Sequence, residues 1–379
     1  MTGTNGVKGK VIFLQSFFPM ETRYHGEGQL VNLVRDLNKN GIDSTIAVLI
    51  PNPLFEKDMY HTLRHRFWKF IFSANHQIAD LYRKVILGYS KKDFTKFKLF
   101  PIWNVCDLNH LKPIFVVTWD WESAYYLSKC NNASFRKIQV LHYHPFEEYF
   151  RDYVLDDRIS KYVEAYYSDM IKVAISYEQI RDFDGRRVYH WLQGIDLDIF
   201  FRQKSSIGDP LKILIPLRKP KEKGALSALQ AAEIISTHHR EVSIESFGNY
   251  PFKIPSFIHH HGYVDFIELL DLYRRCDIFV LPSLNEGFSY PGLEAMASGC
   301  AVVSTRNGGS DQYIRDRYNG ILVEPGDSLA LANAVIELVE NRELLKKIIS
   351  NGQKTVLEYS NQKASERFIE ILNKAYFNS

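Results

Sequence analysis

Short runs of almost uniformly apolar residues recur along this chain in two successive series, and no other feature restricts its fold as tightly. The first series contains VIFLQSF from Val11, PIFVVTW from Pro113 and KIQVLHY from Lys137. The second contains LKILIPL from Leu211, then VSIESFG, CDIFVLPS, CAVVST and GILVEPG. A strand that is apolar on both faces has to be covered on both, which is the situation in a parallel sheet flanked by helices. The opening stretch reads as βαβ: a strand from Val11 to Phe17, a turn-rich stretch through Gly26 and Gly28, an amphipathic helix over Gln29 to Lys39, and a strand from Ser44 to Leu49. A chain of 379 residues is too long for one ordinary domain and comfortable for two. The expectation is two doubly wound α/β units. The change-over is placed in WLQGIDLDIFFRQKSSIGDP, where periodicity lapses before a Ser/Gly/Asp/Pro cluster. The first domain is thus predicted at 1–195 and the second at 196–361. A last helix, Asn361 to Phe377, puts Phe368, Ile369, Ile371, Leu372 and Tyr376 on one face, and this segment, about 362–379, is expected to pack back on the first domain.

Composition excludes several classes of protein. Hydrophobic residues at 45% and charged residues at 24% are those of a globular chain, and a net charge of +3 is too small to argue for nucleic acid. No apolar run reaches the roughly 18 to 20 residues that span a bilayer, and a Gly/Thr/Asn-rich lead passes straight into the first strand without a secretory pattern. Cys106, Cys130, Cys276 and Cys300 lie far apart, with no spacing suited to zinc, and are expected to be reduced, buried thiols of a cytoplasmic protein. From Phe55 to Phe100 basic residues such as Lys91 and Lys92 alternate with aromatics such as Trp68 and Phe94. Two readings stand: amphipathic helices with aromatic cores, or a surface (residues 55–100) that touches an anionic membrane from its cytoplasmic side.

The chemistry is concentrated in CDIFVLPSLNEGFSYPGLEAMASG. A buried strand ends at Pro282 and Ser283, a loop follows, and Pro291 suits the first turn of a helix. Ligands of open α/β sheets collect beyond the carboxyl ends of strands, and the free N–H groups of a helix start attract phosphate. Gly287 and Gly292 allow close backbone approach. Glu286 in the loop and Glu294 in the first helical turn suit sugar and ribose hydroxyls, although Glu294 would also serve merely to offset the helix dipole. This run, together with Asn307-Gly308-Gly309 and NGILVEPGD, resembles the signature of retaining glycosyltransferases of family 4. The resemblance implies the GT-B fold, in which two Rossmann-like domains face each other across a cleft, and a nucleotide-sugar donor. It implies that Glu286 contacts the donor sugar, that Glu294 holds the ribose, and that the backbone of Gly287, Phe288 and Ser289 approaches sugar and phosphate. Ser289-Tyr290 departs from the family's usual Gly-Leu.

Three further elements carry the same resemblance. In LIPLRKPKEKGALSALQAA, Arg218 and Lys223 take the family's basic positions, with Leu217 in place of the usual Gly. A departing diphosphate gathers negative charge, which two fixed cations and helix amides stabilise without a metal; a plain solvated basic loop is the simpler reading. The strand that ends in KIQVLHYHPF offers His142 and His144, one of which matches the histidine that the family places near the donor sugar. The turn YHGEGQL, with Gly26 and Gly28, resembles the glycine turn that faces the diphosphate, and QGIDLDIFF resembles the family's Asn-Gly-Val-Asp linker. The base is expected near Gly248 or Tyr263.

The implied reaction is transfer of a sugar from a UDP, GDP or dTDP type donor to a glycan or lipid-linked glycan with retention, using no metal and no cofactor. The acceptor attacks on the face the nucleotide leaves, and the departing phosphate oxygen takes its proton. Asp120 and Glu122 would instead supply a base for an inverting reaction, but that uses none of the second-domain pattern. The other readings are a catalytically silent GT-B scaffold and a nucleotide-sugar epimerase. A dinucleotide oxidoreductase is disfavoured, since no Gly-x-Gly-x-x-Gly follows a strand.

Overall fold

The computed structural model describes residue 7 and residues 9–16, 26–49, 99–102, 104–142, 156–183, 187–204, 206–219 and 221–377. His144 and nearly all of the basic aromatic segment lie outside the described residues. Contacts divide the chain into two compact units, one of Met1–Ala174, Asp182–Trp191 and Ser365–Ser379, the other of Ile175–Arg181 and Leu192–Ala364.

The first unit is built on a seven-stranded parallel sheet. Its strands are β1 (Val11–Ser16), β2 (Ser44–Leu49), β3 (Leu99–Ile102), β4 (Phe115–Thr118), β5 (Arg136–Leu141), β6 (Ile171–Ala174) and β7 (Val188–His190). They run in the order 3-2-1-4-5-6-7. Alternation along β1 sends side chains to both faces. Ile12 and Leu14 join a core with Ala124 and Leu127 of the helix Trp121–Ser128, while Phe13 meets Phe368 of the last helix with ring centroids 5.9 Å apart.

The second unit carries a six-stranded parallel sheet. Its strands are β8 (Lys212–Pro216), β9 (Ser243–Phe247), β10 (Ile258–His260), β11 (Ile278–Leu281), β12 (Ala301–Thr305) and β13 (Ile321–Val323). Their order is 10-9-8-11-12-13, so the chain winds one way from β8 and returns to start the other way at β11. Apolar residues of β8, β11 and β12 pack with the helices Ala225–His238, Ser328–Glu340 and Arg342–Val356 in one buried cluster. Both sheets are those of the GT-B type. Among the described residues no helix is long and apolar enough to cross a membrane.

Strands β3, β6, β7 and β10 escape the apolar-run criterion for local reasons. β3 contains Pro101, β6 buries Lys172 among its apolar residues, and β7 and β10 are three residues long and rich in His and Tyr. Four further expectations are corrected. Gly26 and Gly28 lie in the first turn of the helix Gly26–Lys39 instead of a preceding turn; a first turn tolerates glycine, and Leu30, Leu33, Val34 and Leu37 hold the helix on the sheet. In the helix Asn361–Phe377 the buried stripe runs through Phe368, Ile371, Leu372 and Ala375, while Tyr376 is 37% exposed, because its ring covers the Arg136 guanidinium at 5.0 Å. Arg136 in turn donates to the carbonyls of Ala375 and Tyr376, satisfying helix-end acceptors. Cys106 and Cys130 are not free thiols but form a disulfide, with Cα atoms 5.8 Å apart, where the short 3-10 helix Val105–Leu111 meets the end of Trp121–Ser128. Only Cys276 and Cys300 are free and buried, and burial pushes the Cys300 thiol up to about 12. Fourthly, Glu294 is the fifth residue of the helix Tyr290–Ala297, past its first turn, because the helix begins at Tyr290.

Candidate functional site

The reversal of winding between β8 and β11 makes the carboxyl ends of these neighbours the place where a doubly wound sheet opens to a ligand. The second-unit residues expected to hold the donor follow the carboxyl ends of β8, β11 and the strands β9 and β10 beside them. After β8 come Arg218 and then Lys223, in a short 3-10 turn before the helix Ala225–His238. After β11 come Glu286, Gly287, Phe288 and Ser289, leading into Tyr290–Ala297. Gly248 follows β9 and Tyr263 follows β10.

The two loops at the switch point are bound to each other. Lys223 Nζ donates to Glu286 Oε1 at 2.9 Å, with both side chains largely buried. The Leu284 amide donates to the Glu222 carbonyl at 2.6 Å. Gly224 adopts φ +67, and a Cβ there would lie 1.9 Å from the Pro282 carbonyl oxygen, so glycine is required by both conformation and approach. The segment after β12 completes the frame. The Glu286 amide donates to the Asn307 carbonyl at 2.8 Å, Gln312 Nε2 donates to the Gly287 carbonyl at 2.8 Å, and the Tyr313 hydroxyl donates to the Ser289 carbonyl at 2.8 Å. Burial pushes the Tyr313 phenol up, which keeps it a neutral donor.

Glu294 is 2% exposed and accepts from the Tyr273 hydroxyl at 3.3 Å. Burial and then the Glu294 charge raise the Tyr273 phenol well above its ordinary value, and the opposing effect of Arg218 places that guanidinium within electrostatic reach. Gly248 joins the row from the other side. Its amide donates to the Gly262 carbonyl at 2.7 Å, and a Cβ on it would meet Arg218 Cγ at 3.5 Å. Tyr263, next to Gly262, is 81% exposed. From β10 to β11 the row thus runs from an exposed aromatic, through Gly248 and Arg218, to Lys223 and Glu286. That is an order suited to an elongated ligand with an anionic middle.

The helix Tyr290–Ala297 has no side-chain cap from Ser289; its Tyr290 amide donates to the Phe288 carbonyl at 3.2 Å and Pro291 brings none, so only amides further into the first turn are left for another acceptor. Tyr273, Tyr313, Gln312 and the pair Tyr290–Gln193, with the Tyr290 hydroxyl 2.5 Å from Gln193 Oε1, were not foreseen as site residues. No local pattern marks them, because each acts across 21 to 97 residues of sequence.

In the first unit His142 directly follows β5 and stacks on Trp119, with ring centroids 4.8 Å apart. Its Nε2 is buried without a hydrogen-bond partner among the described residues, and burial lowers its pKa to about 4, so the ring is neutral near pH 7. Asp120, weighed as a base for inversion, caps Trp121–Ser128 by accepting from the Ser123 amide at 2.8 Å. Its neighbour Glu122 is buried on the same helix.

Residues 198–355 match the profile of the family described as Glycosyl transferases group 1. The chain is 34% identical over 115 residues to an uncharacterized glycosyltransferase of Methanocaldococcus jannaschii, an alignment covering 30% of this chain and 32% of that protein. It is 29% identical over 111 residues to N,N'-diacetylbacillosaminyl-diphospho-undecaprenol alpha-1,3-N-acetylgalactosaminyltransferase of Campylobacter jejuni, covering 29% of this chain and 30% of that one. The chain therefore spans about a third of the length of these curated relatives. In fold it is similar to HepE of Anabaena, crystallised in complex with UDP, with a TM-score of 0.66, 15% identity and coverage of 96% and 99%.

Proposed function

We propose that this chain is a glycosyltransferase of the retaining, family 4 kind, which takes a sugar from a nucleotide-sugar donor and passes it to a glycan or lipid-linked glycan acceptor. The observation that carries the reading is the Lys223–Glu286 pair at 2.9 Å, joining the loops after β8 and β11 at the switch point of the second sheet. One loop brings cations suited to a diphosphate, the other a carboxylate suited to sugar hydroxyls. Arg218, Lys223 and the first-turn amides beyond Pro291 stabilise the charge of the departing nucleotide. Glu294, held by Tyr273, takes the ribose hydroxyls, and the exposed Tyr263 ring offers the base a stacking surface. Neutral His142 serves as a hydrogen-bonding partner for the sugar rather than a cation. The departing phosphate oxygen takes the acceptor proton, so the reaction uses no metal and no side-chain nucleophile. Matches to glycosyltransferases, one of which is named for a diphospho-undecaprenol acceptor, support a lipid-linked acceptor; the mix of basic and aromatic residues in 55–100 is what suits the cytoplasmic face of a membrane.

The test is calorimetric binding of UDP, GDP, dTDP and ADP to the purified chain, to Arg218→Ala and to Glu294→Ala, with and without EDTA. One nucleotide binds, EDTA changes nothing, and both variants weaken it; absence of binding by any nucleotide overturns the reading. Retention is checked by NMR of the first-formed product anomer. Membrane contact is checked by flotation with anionic liposomes and loss of flotation on neutralising Lys91 and Lys92.

A further inference from the structure

Gln193 lies in the segment Leu192–Asp196 that follows the first unit's last strand, and its side chain is 1% exposed. Its Oε1 accepts from the Tyr290 hydroxyl at 2.5 Å, while its Nε2 has no hydrogen-bond partner among the described residues. A buried carboxamide that leaves both N–H hydrogens unused carries a desolvation cost that nothing among the described residues offsets. Tyr290 turns the oxygen toward itself, and the two Nε2 hydrogens are the donors left unused. Tyr290 is also the first residue of a helix that has no side-chain cap, and its ring meets Phe288 edge-on, with centroids 5.0 Å apart. What Gln193 Nε2 and the helix-start amides beyond Tyr290 have to offer is hydrogens. A sugar hydroxyl would find no acceptor among them, whereas a phosphate oxygen only accepts.

We infer that Gln193, oriented by Tyr290, donates a hydrogen bond to the sugar-proximal phosphate of the donor and helps to select a nucleoside diphosphate over a monophosphate. This rests on the donor-site reading above. The Phe288–Glu286 side of the loop, which that reading gives to the sugar, is the side Tyr290 adjoins, so the phosphate concerned is the distal one. The Ser289-Tyr290 departure from Gly-Leu acquires a purpose: leucine has no hydroxyl with which to turn the amide.

The unaltered chain is titrated with UDP, GDP, dTDP and ADP to find the diphosphate it binds. That diphosphate and its monophosphate are then titrated into Gln193→Ala and Tyr290→Phe, with ligand-free melting curves as a control on folding. The expected result is a loss of about 10-fold in diphosphate affinity for Gln193→Ala and about 3-fold for Tyr290→Phe, with monophosphate affinity unchanged in both. If Gln193→Ala does not fold, Tyr290→Phe carries the same comparison. Equal losses for both nucleotides, or none for either, overturn this inference and leave the donor site standing. Absence of binding by the unaltered chain overturns both.

Discussion

Lys223 and Glu286, 63 positions apart in sequence, meet as an ion pair at 2.9 Å across the switch point of the second sheet. Each therefore holds the other in place before any ligand arrives, and preorganised charge is what stabilises a transition state without a reorganisation cost. Lys223→Ala and Glu286→Gln should each lower kcat/KM for sugar transfer by about 10²-fold. The double variant should lose much less than the product of the two, giving a coupling energy of about 1–3 kcal/mol in a double-mutant cycle. Additive losses would mean that the pair does not act as a unit.

Tyr273→Phe removes the hydroxyl that Glu294 accepts at 3.3 Å in a buried setting. Unfolding free energy should fall by about 1 kcal/mol. Nucleotide affinity should weaken as the carboxylate loses its orientation, read by calorimetry beside urea denaturation.

Gly224→Ala sets a Cβ at φ +67 against the Pro282 carbonyl oxygen, whereas Gly326→Ala at φ +83 meets nothing within 4 Å. The second variant should show the conformational cost alone, about 1–2 kcal/mol. The first should exceed it and should also lower transfer activity, since it forces apart the loops that carry Lys223 and Glu286. Equal destabilisation of the two variants would remove the close approach as a constraint.

Reduction of Cys106–Cys130 opens a crosslink between residues 24 apart. Loop-closure entropy of that length corresponds to about 3 kcal/mol. Denaturation midpoints with and without a phosphine reductant, and for Cys106→Ser, should show this loss in the first unit while nucleotide binding persists.

His142 is held neutral in the folded chain, its pKa lowered to about 4 by burial, against an ordinary value of 6.5. The unfolded chain then binds the proton more readily between these values. The stability contribution is complete above pH 6.5 and is lost as pH falls from 6.5 towards 4, by up to about 3 kcal/mol. Urea titrations at pH 7, 5.5 and 4.5 should show a steeper decline for the unaltered chain than for His142→Asn.

Much of the architecture could be read locally. The apolar runs located β1, β2, β4, β5, β8, β9, β11, β12 and β13 to within three residues, since a strand covered on both faces writes its burial into consecutive residues. The last helix was legible over Asn361–Phe377 from its 3.6-residue period, except that Arg136, 240 positions from Tyr376, draws that ring out to the surface. Glu286, Lys223 and Arg218 could be singled out because the motifs that resemble the family's signature are local in sequence.

What only the tertiary structure decided is which side chains meet: Lys223 with Glu286, Tyr273 with Glu294, Tyr290 with Gln193, and Cys106 with Cys130. These partners lie 21 to 97 residues apart, and no periodicity or turn signal links them. The sequence alone determined the strands, the turns and the residue types at the strand ends, through burial patterns and backbone conformations that act within a few residues. The pairing of those ends followed from parallel register and from the reversal of winding between β8 and β11, which exist only once the sheet has formed.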